Sequence, residues 1–163
     1  MNTDFLHTTL GTTGLKVFRL GLSASYRPGK KTIYKALDEG INFFFCYGFD
    51  SQMIQVLREA IKSRREDIVI ATGAYNLMWG HLNLRRTLEK RLRQLNTDYL
   101  DLFLLLGVTR PQHFDWRVRE EYQRFREEGK VRGIGLSCHQ RKFLGELAAQ
   151  GEDGIASQPE QRG

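Results

Sequence analysis

A chain of 163 residues, 40% hydrophobic and 27% charged, has the composition of a soluble globular domain long enough to bury a real core. The formal net charge is +6, yet the basic residues are spread among acidic ones, as in KSRRED and REEYQRFREEGK, and no aromatic-interleaved basic motif or zinc spacing accompanies them. The strongest apolar run, Leu100–Val108, carries Asp101 and is far too short to cross a bilayer, so no membrane role is expected.

The start, MNTDFLHTTLG, has no basic segment followed by an apolar run and does not read as a signal peptide. Two cysteines, Cys46 and Cys138, are too few for a disulfide scaffold; both are expected as reduced thiols in a cytoplasmic protein. The densest basic group, Arg85, Arg86, Lys90, Arg91 and Arg93, is expected to form a solvated outer helix face rather than a nucleic-acid footprint.

Along the chain, a hairpin comes first: Thr8–Leu10 and Leu15–Phe18 flank GTTG, whose two glycines suit a tight turn. A strand at Arg19–Ala24 is followed by helical spacing of Ile33, Ala36 and Leu37, stopped by Gly40. The second strand, Ile41–Cys46, is nearly all apolar, as a strand buried on both faces should be. Asp50 or Ser51 caps the next helix, with Met53, Val56, Leu57, Ala60 and Ile61 on one stripe. Strand three is Asp67–Thr72. Asn83 then caps a helix with Leu84, Leu88, Leu92 and Leu95 on its apolar face.

Strand four is Tyr99–Leu106, and the following helix carries Val118, Tyr122 and Phe125 before Gly129. Strand five is Val131–Ser137. A fifth helix is expected over Arg141–Gln150, with Gly151 as its stop, and the tail from Ala156 to Gly163 turns polar. Strands alternating with helices of this length predict right-handed βαβ units and a parallel sheet. The reading is therefore a single α/β domain over 1–163: hairpin 8–18, five βα units over 19–151, tail 156–163. A closed (β/α)8 barrel needs eight units, typically in about 250 residues. The expectation is a partial barrel of the TIM type, and the polar end is read as that of a truncated chain or fragment.

In such folds the reacting groups stand at the C-terminal strand ends and in the loops after them. Here those positions hold Ser23, Ser25, Tyr26, Phe45, Cys46, Tyr47, Thr72, Gly73, Tyr75, Asn76, Leu106, Gly107, Ser137, Cys138 and His139. They contain no carboxylate and no lysine, and His139 is the strongest acid–base candidate. Adjacent residues on an extended segment face opposite ways, so Cys138 and His139 are not expected to form a thiol–base pair. The four histidines lack ligand spacing, and no metal site is expected. The loop Ala74–Trp79 reads either as a pocket lining or as a lid on the sheet.

Several separated motifs, LGTTGLKVFRLGL, ALDEGINFFFCYGFDSQ, DIVIAT, LEKRLRQLNTDYLDLFLLL and EEGKVRGIGLSCH, resemble the aldo-keto reductase family over roughly residues 8 to 155. The resemblance implies an NADP(H)-dependent carbonyl reductase on a barrel, with an Asp, Tyr, Lys and His tetrad. Carried over by motif, the acid's slot holds Phe45, the lysine's Gly73 and the histidine's Leu106, while Tyr47 matches the tyrosine. Ser137 matches a residue that contacts the nicotinamide amide, and Cys138 stands where that family has an asparagine.

A phenol with a pKa near 10 donates a proton readily only when a neighbouring cation lowers it. Tyr47 is accordingly read either as a remaining donor or as an aromatic closing the sheet end. NADP(H) is the implied cofactor, by resemblance alone. The favoured reading is a catalytically degenerate relative, a pseudoenzyme. The rivals are an active NADPH-dependent carbonyl reductase completed by a partner chain and a basic nucleic-acid-associating protein. Self-association or a completing chain is expected at the open sheet edges.

Overall fold

The computed structural model describes residues 4–47, 51–75, 82–108 and 111–138, together with Lys142, Gly145, Glu146 and Ala149. Five strands form one parallel sheet in sequence order: β3 (Leu22–Ser23), β4 (Phe43–Phe45), β5 (Val69–Tyr75), β6 (Leu100–Val108) and β7 (Val131–Cys138). Helices α1 (Lys30–Asp38), α2 (Ser51–Arg64), α3 (Leu82–Leu95) and α4 (Trp116–Glu127) make the crossovers. A separate antiparallel hairpin, β1 (His7–Thr9) with β2 (Lys16–Phe18), precedes them. The expected fold class, an α/β partial barrel with an N-terminal hairpin, is what the chain forms. No described helix is long and apolar enough to cross a membrane.

Each helix turns its apolar stripe onto one face of the sheet. Ile33 and Leu37 of α1, Met53 and Leu57 of α2, Leu84 and Leu88 of α3, and Tyr122 and Phe125 of α4 are buried against Phe44, Ile70, Phe103 and Leu105. Alternation along the strands turns Phe43, Phe45, Val69, Ala71, Gly73, Leu102, Leu104 and Leu106 to the opposite, concave face. There the leucines of β6 lie over glycines of its neighbours. A Cβ built at Gly133 would meet Leu102 Cδ2 at 2.8 Å, one at Gly135 would meet Leu104 Cδ2 at 2.6 Å, and one at Gly73 would meet Leu106 Cγ at 2.8 Å.

The hairpin lies at the N-terminal end of the sheet. Asn42, just before β4, accepts from the Phe18 N–H at 2.8 Å and donates to the Lys16 carbonyl at 3.0 Å. At the hairpin turn, where Gly11 and Gly14 have φ of 52° and 73°, Thr13 approaches Gly133 of β7.

Several sequence-based boundaries are corrected. The expected first strand, Arg19–Ala24, shrinks to Leu22–Ser23, because Ala24–Tyr26 turn into a 3-10 helix capped by the Ser23 hydroxyl. Strand two is Phe43–Phe45 rather than Ile41–Cys46. Strand three does not stop at Thr72: it runs from Val69 to Tyr75, since the missing side chain at Gly73 admits a close neighbour rather than breaking the strand. Strand four runs on to Val108 and strand five to Cys138. Helix α3 begins at Leu82, so Asn83 lies within its first turn instead of capping it. Asp50 and the tail 156–163 lie outside the described residues, as does most of the fifth expected helix.

The basic group on α3 is not uniformly solvated. Arg85 is clamped by Glu121 and Glu128 of the α4 segment, and Arg91 is half-buried, whereas Arg86, Lys90 and Arg93 are exposed.

Candidate functional site

The C-terminal ends of β4, β5 and β6 converge on a cluster of rings and small residues. Thr72 fixes its geometry: its hydroxyl donates to the Cys46 carbonyl at 2.6 Å, and the Cys46 N–H donates to Ala71 at 2.8 Å. With β4 held at this point, the next residue, Tyr47, stacks its ring on Phe45 at 5.7 Å and 15°. Tyr75, at the end of β5, meets Tyr47 edge-on at 5.7 Å and 68°. Beneath Tyr75 lies Gly107, whose φ of 67° favours glycine and where a Cβ would meet the Tyr75 ring at 2.7 Å.

The positions singled out by sequence are therefore brought together, in a specific way. Phe45 and Tyr47 form one stack. Gly73 and Leu106 are complementary: a side chain at 73 would run into the Leu104 carbonyl and into Leu106 Cγ. Leu106 is buried, and its Cα pairs with that of Tyr75 across the strands. Ser137 is exposed near the end of β7, and Cys138 pairs through its backbone with Val108; the Cys138 side chain, like Asn76 and His139, lies outside the described residues. Ser23, Ser25 and Tyr26 occupy the end of β3, where the Ser23 hydroxyl donates to Ser25 Oγ at 3.1 Å.

The electrostatics of this cluster run against proton donation by Tyr47. Partial burial and a side-chain hydrogen bond with Tyr75 push its phenol up to about 12. A cation beside it would do the reverse. Among the described residues, the ends of β4, β5 and β6 and the positions just after them carry only two kinds of ionisable group: the phenols of Tyr47 and Tyr75, and the Cys46 thiol, which is in no disulfide and is buried toward the helices. No group of three His, Cys, Asp or Glu side chains that could hold a metal is found among the described residues.

Sequence reasoning placed Tyr75 in a loop and missed it as the partner of Tyr47. The available signal was parity: once β5 is continued past Gly73, Tyr75 falls on the same face as Gly73.

A parallel sheet whose strands are joined by helical crossovers, with a hairpin at its N-terminal end, defines a partial (β/α) barrel. The aldo/keto reductase family model matches residues 10–157, and the chain belongs to that family. An uncharacterized oxidoreductase of Bacillus subtilis, YrpG, is 31% identical over 88% of this chain, and another from the same organism, YqkF, is 29% identical over 78% of it. The chain spans about half the length of these relatives, 56% and 47% respectively. Among solved structures, the holo form of an aldo-keto reductase from Bacillus halodurans, AKR11C1, superposes with a TM-score of 0.70 at 26% identity, over 88% of this chain and 53% of that one.

Proposed function

We propose that this chain is a catalytically degenerate member of a family of NAD(P)-dependent oxidoreductases, retaining the family's sheet without its proton relay. The observation that carries this reading is the closure around Gly73. A lysine at that position would have to displace the Leu104 carbonyl of a paired strand as well as the Leu106 side chain. Tyr47 accordingly has a phenol for its partner in place of a cation, and its proton is held more tightly than in water. Loss of positioned proton transfer lowers the rate by a factor of about 10² to 10⁴.

The residues present suit a nicotinamide cofactor only in part. The Ser137 hydroxyl is exposed where a carboxamide would be held, and the rings of Phe45, Tyr47 and Tyr75 offer an apolar surface. The described ends of β4, β5 and β6 place no cation beside Tyr47 to make it a donor, so no reduction step follows from this geometry. The buried thiol of Cys46, which is in no disulfide, suits a reducing, cytoplasmic setting.

The test is a fluorescence titration of NADPH with the purified chain, followed by NADPH oxidation with glyoxal as the carbonyl probe. Weak or absent cofactor binding and no turnover are expected. Carbonyl reduction that disappears in Tyr47→Phe would overturn the proposal.

A second reading, completion by another chain, is favoured by the sheet edges. Among the described residues β3 pairs only with β4, and β7 only with β6, leaving unpaired strand edges of the kind that recruit another strand. Size-exclusion chromatography with light scattering tests it: a monodisperse monomer that melts cooperatively argues against it.

A further inference from the structure

The charge excess of the chain is distributed unevenly over its outer helices. On α3, on α4 and just after it, several cations are neutralised in place, Arg85 by Glu121 and Glu128, Lys130 by Glu89 and Glu128, and Arg124 by Glu120, while Arg86, Lys90 and Arg93 of α3 stand exposed. Between α1 and α2 the cations border a concavity. A groove of about 380 Å³ is lined there by Lys30 and Tyr34 on one wall and by Gln55, Arg58 and Lys62 on the other, with Val56 also lining it.

Three cations face this groove against one carboxylate, Glu59, which pairs with Lys62 at 2.7 Å. Lys30 and Arg58 have no carboxylate within ion-pair distance among the described residues. Spacing explains the alignment: 30 and 34 lie one helical turn apart on α1, and 55, 58 and 62 follow one another along a single face of α2. Tyr34 is 46% exposed, so its ring is open at the groove wall, and the Gln55 amide offers both donor and acceptor.

Concavity, unpaired cations, an amide and an open ring together select for multiply charged phosphate. We propose that the α1–α2 groove binds a small anion with at least two phosphate groups, and that a nucleoside diphosphate, whose ring can stack on Tyr34, fits it best. Arg58 serves the phosphates as a planar fork and Lys30 as a point charge. Base stacking on an aromatic face tolerates any base, so no base specificity is expected. The groove lies on the helix layer, apart from the ring cluster at the strand ends. This proposal therefore stands or falls independently of the catalytic reading.

Isothermal titration calorimetry of the full chain tests it with two probes, inorganic pyrophosphate and ADP. Both bind, ADP more tightly, and both weaken as salt is raised. The double variant Lys30→Gln/Arg58→Gln weakens both by about tenfold or more, since two charge-assisted hydrogen bonds are lost. Tyr34→Ala weakens ADP alone. Arg86→Gln, which removes an exposed cation elsewhere on the helix layer, leaves both affinities unchanged, and circular dichroism checks that each variant folds. Absence of binding by both probes overturns the proposal, and so does binding that the double variant leaves intact. Capture of nucleic acid without measurable pyrophosphate affinity also overturns it, because it points to a diffuse basic surface in place of a built groove.

Discussion

The two ends of the five-stranded sheet are built from opposite chemistry. At the N-terminal end, Asp101 is 1% exposed and accepts hydrogen bonds from the Ile70 N–H at 2.8 Å, from Arg65 at 2.9 Å and from Arg132 at 3.3 Å. The two guanidiniums flank the Tyr99 ring at 3.9 and 4.2 Å, and the Tyr99 hydroxyl donates to Glu66 at 2.6 Å. At the C-terminal end, the ends of β4, β5 and β6 offer rings, leucines and glycines, with no described cation in contact with the one candidate donor. Catalytic chemistry in parallel barrels sits at the C-terminal end. Here the connected charges stand at the other end, where they serve the fold.

The reason the N-terminal network must be complete is energetic. Burial pushes the Asp101 carboxyl up, while the Ile70 N–H and the Arg65 guanidinium pull it back. Asp101→Ala strands Arg65, which is itself mostly buried, and is expected to lower the unfolding free energy by about 3–5 kcal/mol. Urea denaturation measures the loss, and a decrease below about 1 kcal/mol would show that the network is decoration and dissolve the contrast between the ends.

The C-terminal end is next in sensitivity, and for a steric reason. Gly73→Ala drives a methyl against the Leu104 carbonyl, which cannot yield without shifting a paired strand, so a loss of about 1–3 kcal/mol is expected. Gly135→Ala meets only Leu104 Cδ2, the flexible end of a side chain, and should be milder. Equal effects in the same denaturation experiment would mean that the closure around Gly73 is no tighter than ordinary packing.

How much of this was legible in the sequence depends on the kind of signal. The alternation of apolar runs with stripes such as Leu84, Leu88, Leu92 and Leu95 gave the order of elements, because helical spacing and two-sided burial are written locally. The strand ends were misjudged where a glycine acts through a distant partner. Gly73 reads locally as a breaker, yet in the sheet it admits Leu106, thirty-three positions later, and only pairing reveals that. The Tyr47–Tyr75 contact was hidden by the same error, since stopping β5 at Thr72 put Tyr75 in a loop. The Arg65–Asp101–Arg132 network was illegible for another reason: its members come from three elements and show no spacing that a single segment could reveal.

Two smaller effects sharpen the comparison further. Tyr99→Leu keeps the apolar bulk at the N-terminal end but removes the π face between the guanidiniums, and a loss of about 0.5–1 kcal/mol for each cation is expected in thermal or urea melts. At the other end, Tyr47 gives a spectroscopic handle. Its phenol, pushed up to about 12 by burial and by Tyr75, is raised above its ordinary value of 10.0. The sign follows: a group that holds its proton more tightly when folded contributes stability that is fully present below pH 10 and is lost as the pH rises toward 12. Phenolate absorbance of the folded chain should therefore show a late transition that is missing in Tyr47→Phe. If the transition assigned by that variant instead falls below 10, a cation is lowering the phenol after all. The C-terminal end then holds the polarity of a working donor site, and the opposition between the two ends fails at its most informative residue.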